Sequence, residues 1–565
     1  MFPKLKFSRV CLLLALLPRT LSAQNPAGPL DRSQGRSMVL SQRGIVATSQ
    51  TLASQAGAQI LDRSGSAADA AIAANATLGV VECMMNGIGG DLFAIEWDSK
   101  SGKLSGLNSS GWAPKKMTPA LMKEKGFAQM PTRGIHSVTV PGAVRGWEAL
   151  HRKFGRLPWA ELFRPAIAYA KDGFPVTEFI SAYWKASETN LASDPNARRV
   201  FLVDGKAPRL GQVFRNPEYA AALELVAARG ADAFYAGPIA QSLLKTSARF
   251  GGVMSAEDLA DFKPEWVEPV STTYRGWTVY ELPPNGQGMA ALEMLNIMEN
   301  FPLPQWGFGS DDAFHVKIEA QKLAYADLYR YNADPRFASV PVKGLISKAY
   351  AAKRATEIDM RQARGEVRFG DPSAFGRDTI YMCVVDREGN MVSLIQSLYS
   401  SWGAGVVVDD YGFALQNRGA LFKLDPAHPD VLAPRKRPFH TIIPAFMEKG
   451  PVHIGFGIMG GANQAQAHAQ FVSDVADYGM NIQAALEAPR FTKPTPGGFG
   501  FLIEDRVPAG VIDGLRRRGH QPELRGDFST DMGGGQAVLR DSDAGVNYGA
   551  SDPRKDGAAL PEPGP

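Results

Sequence analysis

The chain has 565 residues, 45% of them hydrophobic and 21% charged, which excludes a collagen-like or wholly disordered protein and leaves ample length for a packed core. Its formal charge is +4, but Lys4, Lys6, Arg9 and Arg19 all lie in the first 23 residues, which hold no Asp or Glu. The remainder is electrically balanced, which argues against a nucleic-acid protein.

The N-terminus reads as a secretory signal. Lys4, Lys6 and Arg9 form a basic start, and Val10 to Leu17 is an apolar run too short to cross a bilayer. Residues 1–23 are expected to be removed after Ala23, leaving an exported, periplasmic or secreted chain without a membrane anchor. Cys11 leaves with this segment. Cys83 and Cys383 remain, too few for a disulfide framework, and read as buried thiols.

Helices are predicted over Leu52–Leu61 and over Ala67–Val81, the second Ala-rich with Ser66 as its N-cap. The turn Gly87-Ile88-Gly89-Gly90 leads to a hairpin of Leu92–Trp97 and Leu104–Leu107. Apolar spacings of three and four predict helices at Gly142–Phe154, Trp159–Asp172, Tyr219–Ala228, Gly288–Asn300 and Ala313–Tyr331. Residues 332–378 carry Pro, Gly and charge without periodicity and read as an exposed segment. The pattern changes at Thr379. Thr379–Val385 and Met391–Leu398 form a hairpin around Asp386-Arg387-Glu388-Gly389-Asn390. Gly405–Val408 with Phe413–Gln416, and Ile442–Met447 with Val452–Gly457, read as further pairs. A helix over Asn463–Tyr478 follows. Helices flanking stacked hairpins fit an α/β sandwich better than a βαβ wheel.

Several chemistries are disfavoured. Gly455-Phe456-Gly457-Ile458-Met459-Gly460 matches G-x-G-x-x-G, but the strand before it closes a hairpin, and no acidic residue stands at the required place beyond the helix. Its glycine turn can still present N–H groups to a developing oxyanion. No H-E-x-x-H, C-x-x-C or G-x-S-x-G occurs, so neither a metal site nor a hydrolase elbow is expected, and no cofactor is implied. Arg435-Lys436-Arg437 reads as a solvated basic loop. The abrupt start of a strand at Thr379 draws attention, because a threonine at a freed N-terminus can use its own α-amine as base and needs no histidine.

These stretches together resemble the γ-glutamyltranspeptidase family of N-terminal nucleophile hydrolases. The resemblance is carried by Ser66-Ala67-Ala68-Asp69-Ala70-Ala71, the turn at 87–90, Val140-Pro141-Gly142 and Asp378-Thr379 with Val384-Val385-Asp386 and Gly389-Asn390. Lys436-Arg437-Pro438, Gly460-Gly461 and Tyr548-Gly549-Ala550-Ser551-Asp552-Pro553-Arg554 complete it. The resemblance implies an αββα sandwich and autoprocessing between Asp378 and Thr379. The fragments, 24–378 and 379–565, would stay folded together as one unit. It implies Thr379 as the nucleophile toward a small-molecule amide, Gly460 and Gly461 as oxyanion donors, and Ser397 as the supporting hydroxyl where threonine is more usual.

Departures from the family pattern fall on substrate recognition. Ser110 stands where an arginine is usual, Tyr399 where an asparagine is, Leu421 where an aspartate is, and His440-Thr441 where a serine pair is. Arg418 is the candidate replacement cation. The stretch from Leu421 to His440 is short, like that of the lidless branch that includes cephalosporin acylases. Hydrolysis of a γ-glutamyl compound such as glutathione, an acylase reaction on another small amide (glutaryl, oxamic or N-acyl), and a non-catalytic binding protein of the same fold all remain open.

Overall fold

The computed structural model describes residues 34–367 and 378–564. The expected signal segment 1–23 lies outside the described residues, as does the stretch immediately before Asp378. No helix among the described residues is long and apolar enough to cross a membrane.

Fourteen strands build the two large sheets. They are β1 (Val39–Ser41), β2 (Ile45–Thr48), β3 (Asp91–Asp98), β4 (Lys103–Ser109), β5 (Glu265–Val267), β6 (Val270–Tyr274), β7 (Trp277–Glu281), β8 (Asp378–Val385), β9 (Met391–Tyr399), β10 (Ala445–Lys449), β11 (Val452–Ile458), β12 (Gly535–Asp541), β13 (Val546–Ser551) and β14 (Ala558–Pro561). One sheet runs β1-β13-β12-β11-β10-β7-β6 and the other β14-β2-β8-β9-β3-β4-β5. Every pairing in both is antiparallel.

The strand sequences explain the stacking. β9 is buried along its whole length and both strands are largely apolar on both faces, as strands covered on both sides are. Tyr381, Cys383 and Val385 of β8 pack with Phe446 and Val538 of the opposite sheet, which forms the layer between the sheets. Ile380, Met382 and Val384 face the other way, into a core with the helix α2 (Ala67–Val81). The opposite sheet turns Met447, Ile454 and Phe456 outward onto helices α4 (Gly288–Met298), α5 (Asp311–Tyr331) and α6 (Gln464–Ala476). Helix, sheet, sheet, helix is the four-layer αββα arrangement expected from the sequence. Both sheets interleave strands from before and after Thr379: β8 lies between β2 and β9, and β10 to β13 lie between β1 and β7.

α1 (Thr51–Asp62) packs beside α2, and α3 (Ala143–Phe154) follows the turn at Gly142. Ser66 caps α2 as expected. Asp69 completes a capping box and also accepts from the N–H groups of Arg156 and Leu157.

Four expectations change. Residues 332–367 are not a loose exposed segment, because helix Lys348–Ala355 places Ala351 in the outer core and Asp334 is buried. Gly405–Val408 and Phe413–Gln416 form no strands; they meet through a single bridge, Val407 to Ala414, in a buried loop. The helix expected over Trp159–Asp172 divides into a 3-10 turn, Trp159–Phe163, and a helix, Arg164–Asp172. Lys436 and Arg437 are buried rather than solvated. Backbone carbonyls of Pro429 and Val431 take the Lys436 ammonium, while Arg437 reaches Ser110 O at 2.9 Å and Glu265 at 2.7 Å.

Candidate active site

Thr379 is the second residue of β8 and is almost fully buried. The β8–β9 register slips beside it: Asp378 pairs with Tyr399 but Ile380 with Gln396. Such a bulge re-aims a side chain at a strand end. Thr379 Oγ1 donates to Ser397 Oγ at 3.1 Å, and Ser397 Oγ also accepts from the N–H of Tyr399 at 2.7 Å. Tyr399 holds φ at +81°, a left-handed value that a non-glycine residue adopts only under constraint. Gly90 closes the neighbouring side, where a Cβ would come within 2.7 Å of Ser397 O.

From Ser397 the contacts continue in a chain. The Tyr399 ring lies under the Arg418 guanidinium at 4.6 Å. Arg418 Nη1 donates to Thr441 Oγ1 at 2.7 Å. Gln287 Nε2 donates to both Thr441 O and Gly461 O, the latter at 2.8 Å. Thr379, Ser397, Tyr399, Arg418, Thr441 and Gly461, singled out at six separate points of the sequence, are thus joined through one added residue.

The glycine turn has the backbone its role would need. Gly460 and Gly461 hold φ at +129° and +60°, and among the described residues no backbone carbonyl accepts from either N–H. The turn is fixed from behind. Met459 N–H donates to Gly534 O at 3.2 Å, and Asn463 Nδ2 to Met532 O at 2.8 Å. The 532–534 loop is in turn held by Arg490, which is paired with Asp552. Arg554 joins Asp552 to Glu504. The C-terminal motif 548–554 therefore acts as a buttress, away from the reacting groups.

His440 and Ser110 sit beside this chain, around a residue the sequence reading passed over. Asp91, fully buried, accepts from Gly111 N–H at 2.9 Å and Gly142 N–H at 3.1 Å, and lies 3.1 Å from His440 Nε2. Burial pushes its carboxyl up to about 7, against the opposing pull of Arg418 and the two N–H groups. His440 Nδ1 faces the N–H of Ile442, so Nε2 carries the ring proton toward Asp91. Burial, with Arg418 and Arg437 nearby, holds the imidazole well below its usual range and neutral. Ser110 Oγ is spent on Asn108 Oδ1 at 2.7 Å and on Asn285. Asn285 O accepts from His440 N–H at 2.8 Å. Burial lowers Arg418 to about 10, with Asp91 and Tyr399 opposing, and raises Tyr399 to about 12, with Arg418 opposing. Arg418 therefore stays charged and Tyr399 neutral near pH 7. Asp378 pairs with β9 through its backbone.

Asp91, Asn285 and Gln287 are the residues sequence reading missed. Asp91 follows the noted turn directly, and Asn285 and Gln287 belong to Pro283-Pro284-Asn285-Gly286-Gln287-Gly288, a turn signal ahead of α4. Leu421 is buried in the outer core and offers no polar group. Elsewhere, His315, Glu319 and His520 bring ligand-type atoms within 4.8 Å of one another. Hydrogen bonds engage all three side chains: His315 meets His520 Nε2 at 2.8 Å and Asp359 O at 2.9 Å, and the Lys322 ammonium lies 2.6 Å from Glu319, while His520 Nδ1 has no partner among the described residues. Cys83 and Cys383 are free and buried, and burial raises both thiols.

The family model described as Gamma-glutamyltranspeptidase matches residues 53–562. The chain belongs to the gamma-glutamyltranspeptidase family. It is accordingly an enzyme of the hydrolase and acyltransferase type that this family comprises. Within the family it is 39% identical over 527 residues to a glutathione hydrolase-like YwrD proenzyme of Bacillus subtilis, covering 92% of this chain and 99% of that one. It is 37% identical over 530 residues to an acylase ACY 1 proenzyme of a Pseudomonas strain, covering 92% and 93%. Among solved structures, a cephalosporin acylase from Bacillus halodurans superimposes with a TM-score of 0.88 at 42% identity, covering 96% of this chain and 99% of that one. Gamma-glutamyltranspeptidase-family structures share the αββα fold of this chain.

Proposed function

We propose that this chain is an exported, self-processing threonine amidohydrolase. The observation that carries the reading is the contact chain from Thr379 through Ser397, Tyr399, Arg418 and Thr441 to Gly461, with a β-bulge at the nucleophile. In the first event Thr379 Oγ attacks the carbonyl carbon of Asp378. The Asp378–Thr379 C–N bond breaks, leaving an ester, and water hydrolyses that ester. Thr379 then carries a free α-amine, and the names of two relatives as proenzymes support such a step.

In turnover the α-amine takes the proton of Thr379 Oγ as it attacks an amide carbonyl. The N–H groups of Gly460 and Gly461 receive the oxyanion, and Ser397 holds the threonine hydroxyl in line. The leaving amine departs with a proton, and water releases the acyl group. γ-Glutamyl compounds such as glutathione are the first donors to test, with transpeptidation weaker than hydrolysis. A second reading, an acylase for another small amide, is favoured by Ser110, whose hydroxyl is consumed internally and supplies no cation.

Intact mass and N-terminal sequencing test the reading. The wild type should yield two fragments, the smaller beginning at Thr379, and release the acyl product from an amide donor. Thr379→Ala should remain one chain with no turnover. A wild type that stays uncut would place the protein among non-catalytic binders of the same fold.

A further inference from the structure

His315 and Glu319 stand one turn apart on α5, at the i and i+4 spacing that puts two side chains on one helix face. His520 joins them from 205 residues beyond His315, after the helix Ala509–Arg517. No short ligand motif announces this cluster, because its third member arrives from another region of the chain. All three residues are buried, beside a small core that includes Phe314, Ile318, Phe501 and Leu515. The His520 ring is held by T-shaped contacts with His315 at 5.0 Å and Phe501 at 5.7 Å.

The partners assign the ring protons. Asp359 O can only accept, so His315 Nε2 carries its proton and Nδ1 turns a lone pair inward. Such a carbonyl contact is also what fixes the tautomer and orientation of a metal-binding imidazole. The His315 Nδ1 lone pair faces His520 Nε2 at 2.8 Å, and Glu319 Oε1 lies 3.8 Å from the same nitrogen. His520 Nδ1 has no partner among the described residues, so the His520 ring proton is free to reside there. Two imidazole lone pairs and a carboxylate oxygen then converge. Burial, followed by Lys322, His315, Lys493 and Arg518, pushes His520 down to about 2, and burial lowers His315 as well. Both rings therefore stay neutral, which is the ligating form.

A tetrahedral ion with bonds of about 2.0–2.1 Å sets its ligand atoms roughly 3.3 Å apart, so the two contacts need adjust by only about half an ångström. Lys322 is the competitor. Its ammonium lies 2.6 Å from Glu319 Oε1, but it also donates to Arg364 O at 2.7 Å and keeps that partner when the carboxylate turns. The positive charge of Lys322 weighs against hard cations, which need several oxygen ligands. Two imidazoles select borderline metals instead.

We infer that His315, Glu319 and His520 form a binding site for a divalent transition metal of the Zn2+ type, with water completing the coordination. His315 and Glu319 precede Thr379 in the chain and His520 follows it, so the ion would clasp together the two fragments of a processed chain. The clasp rests on the cleavage reading; the site itself stands without it.

The test titrates tag-free protein, treated with EDTA and desalted, with ZnCl2 and separately with MgCl2 by calorimetry. ZnCl2 should bind as a single equivalent and MgCl2 should not bind. His315→Gln, Glu319→Gln and His520→Gln should each weaken Zn2+ binding by at least about a hundredfold, while His428→Gln, outside the cluster, leaves it unchanged. No saturable Zn2+ binding, or binding that survives all three changes, overturns the inference. Should the variants fail to fold, the wild type decides. Its Cu2+ complex should show splitting from two imidazole nitrogens in electron paramagnetic resonance, and a spectrum without nitrogen splitting refutes the site. In a processed wild type, Zn2+ should raise the urea concentration at which the fragments separate, and should not do so in His520→Gln. Separation that Zn2+ leaves unmoved, or moves equally in both, refutes the clasp. An uncut chain that binds Zn2+ at these three residues would sink the cleavage reading alone.

Discussion

The Ser397 hydroxyl accepts from both the candidate nucleophile and the N–H of the strained Tyr399. Removing it loosens two groups at once. Ser397→Ala should slow both appearance of the Thr379 N-terminus and amide turnover by about fivefold to tenfold, the value of one to two ordinary hydrogen bonds, while Ser397→Thr restores both. Time-resolved gel analysis and initial rates read the two effects separately. His440 allows a pH argument. It is fully buried and its imidazole is held well below the ordinary range, so the unfolded chain binds this proton as pH falls through about 6.5 while the folded chain does not. The stabilising contribution is complete above that pH and is lost toward acid, at up to about 1.4 kcal/mol per pH unit for one such group. His468, driven down to about 3 by burial, acts in the same direction. Melting temperature should therefore fall between pH 7 and pH 5, and His440→Gln should make that slope shallower; an unaltered slope would show that His440 is protonated in the fold.

Among the elements, α2 shows how one side chain can hold a junction. Asp69 accepts from the N–H groups of Ser66, Arg156 and Leu157 at 3.0, 2.8 and 3.0 Å. Ser66→Ala removes one cap, worth about 1 kcal/mol. Asp69→Ala leaves three donors without that acceptor, each costing on the order of 1–3 kcal/mol if buried. Thermal melts should rank Asp69→Ala well below Ser66→Ala. The same scale explains what the sequence made legible. Long periodic segments such as 67–81 and 379–398 declared themselves, because alternation and capping are local. The strands at 270–281 and 535–561 passed unnoticed, since short runs gain meaning only from partners far along the chain. Within the site, Thr379, Ser397, Arg418 and Gly461 were visible as motif positions. Asp91 and Gln287 were not, because their importance lies in reaching distant segments: Asp91 meets His440 349 residues on, and Gln287 meets Thr441 and Gly461 154 and 174 residues on. Lys436 and Arg437 misled for the opposite reason: basic residues read as solvated until the carbonyls and Glu265 that receive them are known.

For the molecule as a whole, the interleaving of strands across residue 379 decides what a cut there would do. β8 is hydrogen-bonded to β2 on one side and to β9 on the other, and β13 bridges β1 and β12. Severing one peptide bond removes none of these ladders. The fragments of a matured chain should therefore co-elute as a single species in size-exclusion chromatography and separate only in denaturant; separation under native conditions would contradict the shared sheets. Refolding would behave differently. The uncut Thr379→Ala chain recovers by a first-order process, whereas two separated pieces must first meet. Neither piece can complete a sheet alone, so each exposes unpaired edges until its counterpart arrives. Recovery of the matured form after heating should depend on protein concentration and fail on dilution. Processing would then be a one-way passage, from a precursor that can be rebuilt to an assembly that persists only while it is never taken apart.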